Sequence, residues 1–204
     1  MSATTLAVET PAGPAQVELT RPRHARALLV LGHGAGGGVT APDLLAVHDA
    51  AVAADVAVAR VVQPYRVAGR RTPPAPKVLD PAWQAAVAAV RAGRGLGSVP
   101  LFVGGRSSGA RVACRTADVL AAAGVVALAF PLHPPGRPEV TRLDELIAPS
   151  VPTLVVQGDR DAFGMPPADA VTRLVVVPGA DHALKRDPAA VATAVLDFVT
   201  GLIG

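Results

Sequence analysis

At 204 residues the chain suits a single domain with a substantial core, half of it apolar but only 3% aromatic, so Ala, Val and Leu must do the packing. A formal charge of +3 comes from cations scattered singly or in pairs, which with so few aromatics argues against nucleic-acid binding. A lone cysteine, Cys114, excludes an intramolecular disulfide, and with neither a basic n-region nor a continuous apolar h-region at the start no signal peptide is expected.

In chain order, Leu6 to Val8 and Gln16 to Leu19 alternate around PAGPA and read as an antiparallel hairpin. Ala27 to Leu31, ALLVL, is a continuous apolar run of the kind buried on both faces, and it ends at GHGAGGG. A helix is expected over Pro42 to Ala54 and a second buried strand over Val56 to Val62. Gln63 to Asp80, rich in Pro and Arg, reads as one long connection, a length more often functional than idle. Pro81 then opens a helix to Ala92 with Trp83 on its core side.

Leu101 to Val103 is a strand, and Ala110 to Ala123 a helix closed by Gly124 as its C-cap, with Cys114 a buried small hydrophobe inside it. Val125 to Phe130 is a further strand. The prolines of PLHPPGRPEV forbid regular structure, and Arg142 to Ile147 reads as a short helix. Strands over Val151 to Val156 and Arg173 to Val177 end at QGDRDAFG and PGADHAL. A closing helix, Pro188 to Ile203, carries Val191, Val195, Phe198, Val199 and Leu202 at helical spacing. Strands alternating with helices predict a single α/β layer sandwich with a mostly parallel sheet and helices on both faces. The apolar runs are too short to cross a bilayer, so a cytoplasmic protein is expected, a monomer or small homo-oligomer.

Between that strand and helix, Gly105, Arg106, Ser107, Ser108 and Gly109 spell G-x-S-x-G, the pattern of a strand-turn-helix elbow that presents a serine hydroxyl on a strained backbone. Only Ser107 fits the frame, because centring on Ser108 puts Arg106 where a small residue is needed; glycines flank the serine because the tight turn brings backbones together. A serine hydroxyl is a weak nucleophile without a base, and the base needs a carboxylate to hold its tautomer. Asp161, after one later strand, and His182, after the next, supply them in the order Ser, Asp, His, on loops at the sheet edge where the elbow emerges.

Asp159 competes with Asp161 but reads as a stabiliser of the Gly158 turn, and Asp181 as another turn residue. His33 and His133 lie in the wrong order, and His24 and His48 read as surface residues. The loop His33 to Gly38 resembles an HGGG-type loop, so the N–H groups of Ala35 and Ser108 are the candidate oxyanion donors, with Gly34 permitting close approach. Gly32, Gly34 and Gly37 also satisfy G-x-G-x-x-G, yet the next strand ends Val61, Val62, Gln63 without the carboxylate a dinucleotide ribose needs. No cofactor and no metal are expected.

With HGAGGG, PYRVAGRRTPP, GGRSSGAR, PLHPPGRP, QGDRDAFG and PGADH in order, the chain resembles the α/β-hydrolase superfamily across nearly its whole length. More narrowly it resembles the small capless hydrolases related to dienelactone hydrolase, and most closely the KANL3/Tex-type α/β-hydrolase-like family. The resemblance implies Ser107 as nucleophile, Asp161 as orienting acid and His182 as base, acting on a small ester, thioester or lactone; it says little of the particular substrate. Ser108 departs from the methionine that relatives often carry there. The PYRVAGRR and PLHPPGRP loops are expected over the site in place of a cap. Arg66, Arg70, Arg71 and Arg137 there either make a cationic mouth for an anionic substrate or form a solvated rim paired with acids such as Asp80, and His133 either lines the site or fixes its loop. A fold that has kept these residues as a non-catalytic binding or scaffold protein is the competing reading.

Overall fold

The computed structural model describes residues 2–204. Two strands, β1 (Ser2–Val8) and β2 (Ala15–Arg21), form the expected antiparallel hairpin. Next come β3 (Ala27–Gly32), α1 (Pro42–Ala53), β4 (Val56–Val62), α2 (Pro64–Val67), α3 (Pro76–Arg91), β5 (Leu101–Arg106) and α4 (Ser108–Thr116). The chain closes with β6 (Gly124–Leu128), α5 (Leu143–Ile147), β7 (Thr153–Gly158), a 3-10 turn at Ala168–Ala170, β8 (Arg173–Val177) and α6 (Pro188–Ile203).

The eight strands make one sheet in the order β1-β2-β4-β3-β5-β6-β7-β8. β2 pairs antiparallel with both β1 and β4, and every other pairing is parallel. β3 is buried throughout because helices cover both faces. Its alternate side chains feed two cores: Leu28 and Val30 join Trp83, Val87 and Ala113 on the α3 and α4 side, while Leu29 and Leu31 join Leu44, Val47, Val195 and Phe198 on the α1 and α6 side. No helix among the described residues is long and apolar enough to cross a membrane.

Strand order also places the crevice. From β3 the chain crosses to β4 on one side, and from β5 to β6 on the other, so the loops leaving β3 and β5 diverge at adjacent strand ends. Such a switch point opens a cleft at the carboxyl edge of a parallel sheet.

Three local expectations are corrected. The connection after β4 is not one long loop, because α2 occupies its start and α3 begins at Pro76 rather than Pro81. Two prolines compete for the first helical position, and Pro76 takes it; Pro81 sits inside the helix, facing the exposed Lys77 whose carbonyl it cannot bond. Helix α4 stops at Thr116, whose hydroxyl donates to the Val112 carbonyl at 2.7 Å, and Ala121 rather than Gly124 takes positive φ, at 50°. Gly124 instead opens β6, where a Cβ would lie 3.1 Å from the Phe102 ring. In α6, Leu202 faces solvent while Val191, Val195, Phe198 and Val199 are buried, and in the last turn it is the neighbouring Ile203 that packs against the core.

Candidate active site

Ser107 stands between β5 and α4 with φ 54° and ψ −110°, a conformation that costs a non-glycine residue about 1–3 kcal/mol. Packing around the turn holds it there. The Ser107 N–H donates to Leu128 O of β6 at 2.9 Å. Gly105 and Gly109 do not chiefly make room for each other; both press on the backbone of Gly32 in β3. A Cβ on Gly109 would lie 2.5 Å from Gly32 O, and one on Gly105 would also meet that carbonyl. Gly32 in turn rests against Gly109 and the fully buried Trp83.

The later loops converge on the serine. His182 Nε2 lies 2.9 Å from Ser107 Oγ, and His182 Nδ1 lies 2.8 Å from Asp161 Oδ2. An ionised carboxylate only accepts, so Nδ1 carries the proton and Nε2 offers its lone pair to the hydroxyl. The Asp161 side chain is fully buried, and its charge is tolerated because three donors meet it: His182 Nδ1, Gln157 Nε2 at 2.9 Å and the Phe163 N–H at 2.9 Å. The two loops are stitched by the Arg160 N–H donating to Ala180 O at 3.0 Å, a contact so close that a Cβ on Gly158 would meet Ala180 backbone. Asp159 accepts from the Gly179 N–H at 2.7 Å, tying the β7 loop to the β8 loop rather than stabilising its own turn, while Asp181 accepts from the Ala183 N–H at 2.9 Å within its turn.

The glycine loop after β3 reaches Ser107 through Gly34, where a Cβ would lie 3.6 Å from that of Ser107. A turn closes from the Gly37 N–H to Gly34 O at 3.1 Å, and the Ala35 N–H donates to no group among the described residues. Ser108 is the first residue of α4, where a helix N–H has no intrahelical acceptor. The loop's carbonyls are held by three side chains. His33 Nδ1 donates to Gly34 O at 2.8 Å, Tyr65 Oη to Ala35 O at 2.9 Å and Arg66 Nε to Gly37 O at 3.0 Å. His33 Nε2 accepts from the Gln63 N–H at 3.1 Å, which assigns its proton to Nδ1; burial pushes its pKa down, so it stays neutral.

The remaining candidates are placed apart from the serine hydroxyl. Arg66 spends its guanidinium on Gly37 O and on Arg70 O at 2.9 Å, as a brace for the loop. Arg71 comes near Gly36, and the exposed Arg70 borders a cavity of about 260 Å³ lined by Tyr65, Thr72 and Leu79. Arg137 pairs with Glu139 at 3.3 Å. Asp80 pairs not with these arginines but with Arg115, at 2.6 Å. His133 ties its loop to the one after β7: its N–H donates to Phe163 O at 3.0 Å, and its ring packs on Gly164. His48 is half-buried rather than a surface residue, close to Thr20 Oγ1 at 2.9 Å.

Four contributors have no sequence signal of their own. Gln157 holds Asp161, and the Phe163 ring stacks on His182 with centroids 4.0 Å apart. Tyr65 clamps Ala35, and Arg106 donates to the His182 carbonyl at 3.2 and 3.4 Å. Only their place inside QGDRDAF, PYR and G-x-S-x-G hinted at them. Ser107 is half-buried and His182 is 21% exposed on its side chain, so the hydroxyl is reached from solvent.

An eight-stranded, mostly parallel sheet with a serine elbow at its switch point defines an α/β-hydrolase fold. The alpha/beta hydrolase domain family matches residues 25–194, and the chain belongs to that family. Among solved structures it is similar to XC6422 from Xanthomonas campestris, described as an a/b serine hydrolase without lid: TM-score 0.74, 20% identity, covering 97% of this chain and 93% of that one. It is similar to Est1E from Butyrivibrio proteoclasticus, with TM-score 0.78 and 18% identity over 99% of both chains. The dienelactone hydrolase of Anabaena variabilis superposes with TM-score 0.75 and 19% identity, over 98% of this chain and 96% of that one. At these identities the likeness is one of fold. No curated protein matches the sequence.

Proposed function

We propose that this protein is a serine hydrolase that cleaves a small carboxylic ester, thioester or lactone through an acyl-enzyme. The observation that carries the reading is the unbroken relay from Ser107 Oγ to His182 Nε2 at 2.9 Å and from His182 Nδ1 to Asp161 Oδ2 at 2.8 Å, mounted on a positive-φ elbow. Ser107 Oγ attacks the carbonyl carbon as its proton passes to His182 Nε2, and Asp161 holds the imidazole and the imidazolium that forms. The oxyanion is received by the N–H groups of Ala35 and Ser108. His182 then gives the proton to the leaving group, and water repeats the sequence to free the acid. No cofactor enters this scheme.

The half-buried, solvent-reached serine and the absence of a large insertion between the described strands support a small, freely diffusing substrate. Arg70 and Arg71, the cations left at the loop's outer side, would favour an anionic acyl chain. Membership in the KANL3/Tex-type group and a cytoplasmic site of action complete this reading.

Labelling with a fluorophosphonate probe tests it. Covalent label on Ser107, lost in Ser107→Ala and strongly reduced in His182→Ala, is the expected result. A folded wild type that takes no label and hydrolyses no p-nitrophenyl ester would leave the scaffold reading in its place.

A further inference from the structure

One charged group beside the site is left over by this chemistry. Asp43, the second residue of α1, is fully buried, and neither of its carboxylate oxygens accepts a hydrogen bond among the described residues. Its nearest counterion is Arg106, whose Nε lies 3.5 Å from Asp43 Oδ2, and the same guanidinium donates to His182 O. Arg106 immediately precedes the nucleophile, so a single side chain joins α1, the elbow and the histidine loop. Burying a carboxylate without hydrogen bonds is costly, and an apolar side chain would fill this space more cheaply.

We propose that Asp43 is a positioning residue for the same reaction, locking the Arg106 guanidinium against the His182 backbone and cancelling its charge where the imidazolium forms. The inference rests on the serine-hydrolase reading above. When Ser107 gives up its proton, a positive ring appears beside a positive guanidinium. Without Asp43 that arrangement is a like-charge clash; with it, the pair is neutral and only Asp161 faces the new charge uncompensated. The first turn of α1 adds a favourable place for the carboxylate, since helix N-termini carry partial positive charge.

Burial pushes the Asp43 carboxyl above the usual carboxylate range, while Arg106, then the nearby backbone N–H groups of Leu44 and of Asp43 itself, and last His182 pull it back. Few other charges bear on it. On α1 itself, His48 and Asp49 engage each other at 2.7 Å. From β4, Arg60 is taken by Glu18 at 2.7 Å, and the acid on α6, Asp197, is exposed. Nothing charged comes from β3.

Asp43→Asn keeps the shape and removes the charge. It should lower kcat/KM for p-nitrophenyl acetate by about tenfold, through kcat, and move the acid limb of the pH profile to lower pH by about one unit. Arg106→Met removes the cation that Asp43 neutralises, so the acid limb should not move to lower pH, and adding Asp43→Asn to it should change nothing further, because a buried carboxyl left without its counterion takes up a proton. Arg106→Lys keeps the cation opposite Asp43 and loses the fork, so kcat should fall with the acid limb unmoved; this arm stands even if Asp43→Asn does not fold. A folded Asp43→Asn with an unmoved limb, an undiminished effect in the Arg106→Met background, or a moved limb in Arg106→Lys overturns the proposal. A wild type without Ser107 labelling or turnover overturns the serine-hydrolase reading and this proposal with it, whereas an active wild type with an unmoved limb overturns this proposal alone.

Discussion

Replacing Tyr65 by Phe removes one oxygen atom from the molecule and, with it, the donor that holds Ala35 O at 2.9 Å. Burial pushes the phenol up to about 12, so Tyr65 is a donor at every practical assay pH. The ring stays packed, 5.8 Å from His33 between centroids, and only the hydrogen bond is lost. A net hydrogen bond contributes about 0.5–1.5 kcal/mol, and because Ala35 is half-buried its carbonyl can recruit water, which favours the lower half of that range. For a domain of this size that predicts a Tm lower by about 1–4 °C.

If the freed loop loses the same energy from the transition state, kcat falls by about 2- to 5-fold, since each 1.4 kcal/mol is tenfold. Removing an oxyanion donor outright costs about 10²–10³, so a loosened loop must do less. KM should stay within about twofold, because the donors address charge that develops only after attack. Steady-state hydrolysis of p-nitrophenyl acetate beside a thermal melt measures all three. An unchanged kcat with a lowered Tm, or a rise in KM alone, would refute the idea that Tyr65 aims the Ala35 N–H.

Gly109→Ala forces a Cβ to within 2.5 Å of Gly32 O, backbone against backbone, and should cost about 1–3 kcal/mol, read as a fall in Tm. Gly201→Ala is the contrasting control: nothing lies within 4 Å of its Cβ, so this helical substitution should raise stability by about 0.5–1 kcal/mol, and a fall would contradict the packing account. Glu145 on α5 is bound by Arg111 at 2.6 Å and Arg115 at 2.9 Å; burial works to raise its carboxyl, yet these two arginines outweigh it and hold the group below its ordinary 4.5. Its ionised form therefore stabilises the fold above pH 4.5, and that stability is lost as pH falls through the depressed value. The Tm gap between wild type and Glu145→Gln should be widest at neutral pH and narrow in acid; a gap that widens in acid would show the sign to be wrong.

Read alone, the sequence determined the order of the parts. Continuous apolar runs ending in glycine marked the parallel strands, because a strand buried on both faces needs no polar alternation, and the ends of those runs carried Ser107, Asp161 and His182 in order. Those signals are local, so they survive in one dimension. Competing local signals were the ones misread: Pro76 and Pro81 both suit a helix start, and Gly124 looks like a cap until the Phe102 ring beside it is known. What only the tertiary structure decided are the contacts between residues distant in sequence. Gly105 and Gly109 are glycines because Gly32 of another strand lies against them. Arg106 reaches a carbonyl 76 residues away, and Tyr65 clamps a loop 30 residues back. Each depends on the strand order that sets β3 beside β5 and folds the β7 and β8 loops over the elbow, and no period or spacing along the chain encodes that order.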